Sequence, residues 1–274
     1  MPRVSIAPLV RVTRDGSRTD QDLVAVEAPL SIEIEHPSAP DRTSSHLGIF
    51  MRTPGDDEAL AMGLLFAEGV IRTASDVTAM TLTTDPDGAS ATLRAALAPH
   101  VIVDPAALAR SGVASTACGL CGRLSAATKD IGSRSPGNDN GNQFDELIPV
   151  IIFALPHRLR DAQAVFAKTG GLHAAAFFTR QGALVDITED VGRHNAVDKL
   201  IGRALLAGAL PPAGDHILVV SGRVAFEIIQ KAAMAGVGTL VAVGAPSSLA
   251  VQAARDTGIT LIGFAKDGSF NRYG

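Results

Sequence analysis

Apolar residues in the first third of the chain recur at a two-residue period. In residues 29–35 the alternation Leu30, Ile32, Ile34 marks one buried face of a strand, and residues 23–26 and 48–51 are shorter runs of the same kind. The period then lengthens: Leu60, Leu64, Leu65 and Ala67 form the stripe of a helix. Thr53 or Gly55 is placed to cap it, and Asp56, Asp57 and Glu58 lie where a helix N-terminus favours anions. Gly69 suits its end. Residues 77–83 and 91–97 predict two more strands across the turn-rich Asp85-Pro86-Asp87-Gly88. As far as about Arg110 the chain reads as a small α+β roll, whose acidic helix start is its one feature beyond plain packing.

Residues 111–145 lose the pattern. A short helical stretch at 124–129 leads into residues 132–142, rich in Gly, Asn and Ser and without periodicity, which predicts a mobile loop. Regular patterning then resumes. The spacing predicts a helix over 158–168 and a hairpin of 173–178 with 183–187 across Thr179-Arg180-Gln181-Gly182. A helix faced by Val197, Leu200, Ile201, Ala204 and Leu205 follows. Strands at 217–220, 239–243 and 259–264 then alternate with helices at 224–235 and 249–257. Apolar strands alternating with helices imply right-handed crossovers and a parallel sheet covered on both faces. The expected organisation is a small N-terminal α+β domain over 1–112, a Cys-containing segment and flexible loop over 113–145, and an α/β domain over 146–274.

In such sheets ligands collect beyond the carboxyl ends of the strands. Those ends are Ser221-Gly222-Arg223, Ala245-Pro246-Ser247-Ser248 and Phe264-Ala265-Lys266-Asp267-Gly268-Ser269. They offer hydroxyls, cations and helix N-terminal N–H groups, which suits a phosphorylated ligand; the plainer reading is helix capping by Ser221 and Ser247. Before the next helix, Gly192-Arg193-His194-Asn195 sets a fixed cation beside a titratable imidazole. His194 can transfer a proton or bind a ligand. Against that, Asn195 can cap the helix and Arg193 can pair with Glu189 or Asp190. His173 enters an apolar strand and is either a ligand contact or simply hydrogen-bonded in place.

Composition narrows the classes. The chain has 274 residues, 46% hydrophobic and 19% charged, as a soluble globular protein has. Its net charge is −4, with no Trp and one Tyr, so neither a basic surface nor stacking platforms point to nucleic acid. No apolar run reaches membrane-spanning length and the first residues lack a signal-peptide core, so a cytoplasmic protein is expected. Cysteine is the rarest chemistry present: both copies, Cys118 and Cys121, sit in Ala117-Cys118-Gly119-Leu120-Cys121-Gly122. A structural disulfide is uncommon in the cytoplasm. A structural zinc site needs four ligands, this motif supplies two, and the seven histidines show no paired spacing near it, so no metal is expected. Zinc deaminase chemistry needs His-x-Glu or Cys-x-Glu with Pro-Cys-x-x-Cys, and neither is present. A thioredoxin-type site follows a buried strand, and none leads into Cys118. Sulfur handling and dithiol exchange both remain, and the spacing does not choose between them.

Longer motifs do choose. Ala117–Gly122, Thr169-Gly170-Gly171-Leu172-His173-Ala174-Ala175, the run from Glu189 to Lys199, Ser221-Gly222-Arg223 with Phe226-Glu227, and Met51–Glu58 resemble the FdhD family in matching order over nearly the whole chain. The resemblance implies a cytidine-deaminase-like α/β domain beside a smaller N-terminal domain, and a homodimer. It implies a sulfurtransferase that takes sulfur from a cysteine desulfurase as a persulfide on Cys118, with Cys121 as its partner. The sulfur then passes to the molybdenum bis(molybdopterin guanine dinucleotide) cofactor, a bound substrate, for formate dehydrogenase. It implies cofactor binding at Phe264, Ala265, Lys266, Asp267, Gly268 and Ser269, where GDP-like nucleotides also fit. Arg193, His194, His173, Ser221 and Arg223 are the further candidates of the same site. A non-catalytic chaperone that escorts the cofactor and a dithiol redox protein are the competing functions.

Overall fold

The computed structural model describes residues 1–35, 44–103, 147–210 and 216–273. Cys118, Cys121, the stretch at 124–129 and the expected loop at 132–142 lie outside the described residues, as do both expected domain boundaries.

The chain starts with a two-stranded antiparallel ribbon, β1 (Val4–Thr13) and β2 (Gly16–Ala25), in register from Val4 opposite Ala25 to Thr13 opposite Gly16. Only the end of β2 is legible as an apolar run. The ribbon is held by its own ladder, and Ile6, Val10 and Val12 stay 63–74% exposed, so burial leaves little imprint on it.

A four-stranded sheet of order β4-β3-β6-β5 follows. β3 (Ala28–Glu35) pairs antiparallel with β4 (Ser44–Arg52) and parallel with β6 (Ala91–Leu97), which pairs antiparallel with β5 (Val77–Thr84). The Leu30/Ile32/Ile34 alternation is borne out: all three are buried, together with Leu93, Ala95 and Leu97 of β6. Helix α1 (Asp57–Ala67) covers this face, and ten of its eleven residues are buried. A helix apolar on nearly every side needs a second partner. That partner is α4 (Arg193–Leu206).

The two helices meet through glycine. A Cβ on Gly63 would sit 1.9 Å from the carbonyl oxygen of Asp198, and one on Gly202 would sit 1.8 Å from that of Ala59. Backbone therefore packs on backbone, and one apolar core runs from the four-stranded sheet through α1 and α4 into the second sheet. The halves flanking residue 112 share that core.

The second sheet has six strands in the order β12-β11-β10-β9-β7-β8. The hairpin β7 (His173–Phe178) and β8 (Leu184–Asp190) lies where expected, and β7 runs antiparallel to β9 (Ile217–Val220). β9, β10 (Thr239–Ala242) and β11 (Thr260–Lys266) are parallel, and β12 (Ser269–Tyr273) returns antiparallel along β11. The expected parallel sheet is the three-strand centre of a mixed one, with antiparallel β12 beside β11 and antiparallel β7, carrying its hairpin partner β8, beside β9. Both faces are covered. α5 (Phe226–Met234) and α6 (Ser248–Thr257) lie with α4 on the core shared with α1. On the opposite face, Ile152, Leu155 and Leu159 of α2 (Leu147–Ala162) pack on Ala174, Ala176, Phe178, Val219, Val241 and Ile262.

The helix expected over 158–168 is really two. α2 begins at Leu147 and carries Pro156 inside it, and a four-residue helix, α3 (Phe166–Thr169), follows Gln163. Prolines at 149 and 156 read as breakers, but the apolar stripe of α2 on the sheet outweighs the lost backbone bond.

Candidate functional site at the edge of the six-stranded sheet

β9, β10 and β11 end on one edge, and antiparallel β7 begins there, which brings His173 to the same place as Ser221. The N–H of Ala174 donates to Ser221 Oγ at 2.9 Å, and the N–H of Ser221 donates to the Ala174 carbonyl at 3.0 Å. Ser221 therefore laces β7 to β9 and caps nothing. Ser247 does cap α6, accepting from the N–H of Ala250 at 3.2 Å.

The turns beyond these strands press together. A Cβ on Gly244 would come 2.7 Å from the Gly222 carbonyl oxygen, and one on Gly222 would come 3.2 Å from His173 Nδ1 and 3.5 Å from Arg193 Cβ. Phe264 adopts φ 55°, rare for a large residue; its N–H donates to the Gly244 carbonyl at 3.1 Å, and its ring stays 48% exposed. The strained residue sits within the irregularity of β11 between Gly263 and Lys266. Held strain of this kind concentrates at ligand sites.

A cavity of about 570 Å³ opens at this edge. His173, Ser221, Ala265, Lys266 and Asp267 of the expected residues line it. Arg223, Phe264, Gly268 and Ser269 lie beside it in the chain and outside its lining, as do Arg193 and His194. The opposite wall comes from a part of the chain with no expected role: His157 and Arg160 of α2, Gln163, Phe166 of α3, and Gly170-Gly171. One signal was available in the sequence. Gln163 continues the stripe Ile152, Leu155, Leu159 at the next four-residue step, a polar side chain in line with an apolar face. The Arg160 guanidinium lies 4.5 Å over the Phe166 ring.

Arg193 and His194 form the first turn of α4, close behind His173. Burial first, and then the Arg193 cation, lowers the His173 pKa, against the pull of Asp190. Burial, followed by Arg193, Lys231 and His173, brings His194 down to about 4. Both imidazoles are therefore neutral at neutral pH, with their ring nitrogens free to donate or accept.

The plainer roles considered for this turn do not hold. Gly192 is the N-cap residue of α4, and Asn195 instead donates from Nδ2 to Asp190 Oδ1 at 2.9 Å and to the Met51 carbonyl at 2.8 Å. Asp190 is fully buried and pairs with Lys199 Nζ at 2.7 Å while accepting from the N–H groups of Thr53 and Gly192. Glu189 accepts the N–H groups of Val165 and Phe166 at 2.9 and 2.8 Å, at the start of α3. Neither carboxylate pairs with Arg193 among the described residues.

Arg3 Nε, Arg193 Nε, His194 Nε2 and Gln163 Nε2 are all buried without a hydrogen-bond partner. A buried donor left unpaired costs about 1–3 kcal/mol, and native structures contain few such groups. Of these, Gln163 lines the cavity, whose walls also carry Arg160, Lys266 and Asp267, and Arg193 and His194 stand behind it.

The model of the FdhD/NarQ family matches residues 25–274. Three relatives named sulfur carrier protein FdhD are similar along almost their whole lengths. The Streptomyces avermitilis protein is 44% identical, covering 100% of this chain and 95% of its own. The Mycobacterium tuberculosis protein is 41% identical over 96% and 93%. The Saccharolobus solfataricus protein is 38% identical over 99% and 96%. In fold, the crystal structure of a proposed formate dehydrogenase accessory protein from Desulfotalea psychrophila superposes with a TM-score of 0.72 at 21% identity, over 99% of this chain and 97% of that one. On the extent of these matches, the chain belongs to the FdhD/NarQ family.

Proposed function

We propose that this protein is a sulfur carrier for formate dehydrogenase, a sulfurtransferase with a cysteine persulfide intermediate. The carrying observation is the 44% identity, across the full chain, to relatives named as sulfur carriers, in a sequence whose only thiols are Cys118 and Cys121. The Cys118 thiolate attacks the terminal sulfur of a persulfide on a cysteine desulfurase. The donor S–S bond breaks, the donor cysteine leaves as thiolate, and Cys118 holds the sulfur. Attack by Cys121 on Cys118 Sγ then expels the sulfur as hydrosulfide, reduced by two electrons, and leaves a disulfide that a dithiol reductant resets. Arg123, near in sequence, favours the attacking thiolate.

The acceptor substrate is the molybdenum bis(molybdopterin guanine dinucleotide) cofactor, held by a guanine nucleotide portion at Phe264–Ser269 with His173, Arg193, His194, Ser221 and Arg223 near it. A cavity of about 570 Å³ with Arg160 and Lys266 on its walls has the size and charge for a nucleoside diphosphate. The protein works in the cytoplasm as a homodimer, as the family resemblance implies.

Intact mass spectrometry after incubation with a cysteine desulfurase and cysteine tests the transfer. The expected result is a gain of one sulfur atom, absent from Cys118→Ala and reversed by dithiothreitol. No gain on the wild type, with a disulfide that cycles under thioredoxin-type reductants, makes the protein a dithiol redox protein. Formate dehydrogenase that stays fully active with the Cys118→Ala/Cys121→Ala variant makes it an escort for the cofactor.

A further inference from the structure

Among the described residues, neither outer edge of the ribbon β1–β2 meets another strand. A two-stranded ribbon alone is marginally stable in water, and a third strand or a packed face is what sustains one. This ribbon is tied to the body at its base, where the N–H of Val26 donates to the Arg3 carbonyl at 3.0 Å and Arg3 Nη2 donates to the Glu189 carbonyl at 3.1 Å. From there its ladder of ten cross-strand pairs runs for about 34 Å.

The two edges differ. The N–H groups of Gln21 and Leu23 donate at 2.9 Å to the carboxylates of Asp20 and Asp22 just before them, so they point away from β1. By the alternation of an antiparallel ladder, Ser17 and Thr19 face outward with them. Pro8, opposite Gln21, faces outward on β1 and has no N–H to give a further strand. The β1 edge is therefore interrupted near its middle, and the β2 edge is open.

Charge selects what fits the open edge. Arg18, Asp20 and Asp22 share one face of β2, where Asp20 already takes Arg11 of β1 at 2.8 Å. A second β2 laid antiparallel, with Asp20 on the two-fold axis, sets Arg18 opposite the partner's Asp22 on both sides of the axis. It also sets Thr19 opposite the partner's Gln21 and Ser17 opposite the partner's Leu23, outward groups against outward groups. The N–H groups of Gln21 and Leu23 then exchange a carboxylate for a carbonyl across the axis, and Asp22 gains an arginine. The two Asp20 carboxylates are flanked by Arg11 and Arg18 of both copies. Moving the axis to Gln21 would oppose Asp20 to Asp22, and moving it to Thr19 would leave Asp22 opposite Gly16.

We infer that the outer edge of β2, residues 17–23, is the homodimer interface, pairing with itself to make a four-stranded sheet. The inference deepens the homodimer reading given above and rests on it. Antiparallel pairing puts the two bodies at opposite ends of the joined ribbons, so only the ribbons need meet. The contact is isologous, as a two-fold dimer requires.

Sedimentation velocity of the full chain from about 1 to 100 µM tests this. The wild type is expected to dimerise in this range. Arg18→Asp and Asp22→Arg each set like charges opposite one another and are expected to weaken the dimer about tenfold or more, and Arg18→Asp/Asp22→Arg together to restore it. Thermal melting establishes that each variant is folded. In the Cys118→Ala/Cys121→Ala background, Asp20→Cys brings two thiols together with Cα atoms about 4.5 Å apart, which diamide should link. Thr19→Cys stands more than about 7 Å from its own copy and should not link. A wild type that stays monomeric throughout overturns the homodimer reading and the interface together. A dimer that neither single reversal weakens, that the double reversal fails to restore, or that links through Thr19→Cys and not Asp20→Cys overturns the interface and leaves the homodimer standing.

Discussion

Two buried polar clusters meet at the start of α4, and they are built on opposite terms. On the side facing α1, Asp190 takes four donors, and Lys199 answers both it and the Thr53 carbonyl, the latter at 2.7 Å. Deeper along the same seam, Lys231 pairs with Asp198 at 2.6 Å. On the side facing the sheet edge, His194, Arg193 and, across the cavity, Gln163 each keep a buried polar atom without a partner. A buried network whose members are all satisfied specifies the packing around it. Unsatisfied groups cost stability and persist where something else meets them. Arg3 Nε, beside Gly55 and away from the cavity, is a fourth unpartnered atom, so the contrast is one of degree.

The seam should fail first and hardest. Gly202→Val forces a side chain onto the Ala59 carbonyl, which is helix backbone and cannot swing aside. Urea denaturation should register a loss on the order of 4 kcal/mol or more, or no folded protein at all. A midpoint equal to that of the wild type would mean the two helices do not touch there.

Lys199→Met comes next. It strands the Asp190 carboxylate in a dry site, with an expected loss of about 3–5 kcal/mol. Adding Asp190→Asn should return part of that loss, since a neutral amide needs no cation; if the double variant is worse than the single, the pair is not the source.

His194 tests the other cluster through pH. Its pKa is about 4 in the folded protein and near 6.5 unfolded, so between these values the unfolded chain binds more protons. Stability held above pH 6.5 is thus lost progressively as pH falls toward 4, by on the order of 3 kcal/mol. Asp198 works in the opposite sense: burial raises it to about 6 against the pull of Lys231, so its protonation favours the folded state as pH falls through 6. The difference between wild type and His194→Gln isolates the histidine, and the variant should be relatively less acid-sensitive from pH 6.5 to 4. Parallel curves would mean the ring is solvated in the folded state.

The smallest effect belongs to Ser221→Ala, which removes the acceptor for the Ala174 N–H and should cost about 1 kcal/mol by thermal melting. A loss as large as that of Lys199→Met would place Ser221 in the scaffold.

Periodicity made much of this legible. β3 and β6 bury one clear face that is written in residue spacing, α1 is apolar nearly all round, and β7, β9 and β10, covered on both faces, show as continuous apolar runs. The ribbon β1–β2 was not, because it buries little, and α2 was cut short because two prolines locally argue against a helix that tertiary packing sustains. At the cavity, Ser221, Ala265, Lys266 and Asp267 were singled out by one rule about strand ends, and His173 separately, as a lone histidine entering an apolar strand. Arg160, Gln163 and Phe166 were not, because they reach the cavity from a helix crossing the sheet face, which no local pattern reports.

By itself, then, the sequence determined most of the strands and helices, that its only two thiols stand together in one Cys-x-x-Cys, and which family its motifs resemble. Those are properties of spacing and residue type, and each can be stated within a window of a few turns. Only the tertiary structure decided that Asp190 belongs to the seam and Arg193 and His194 to the edge, though they are neighbours in the chain. Successive residues at a strand-to-helix turn point in different directions, and whether a polar atom finds a partner depends on what the rest of the fold brings to meet it.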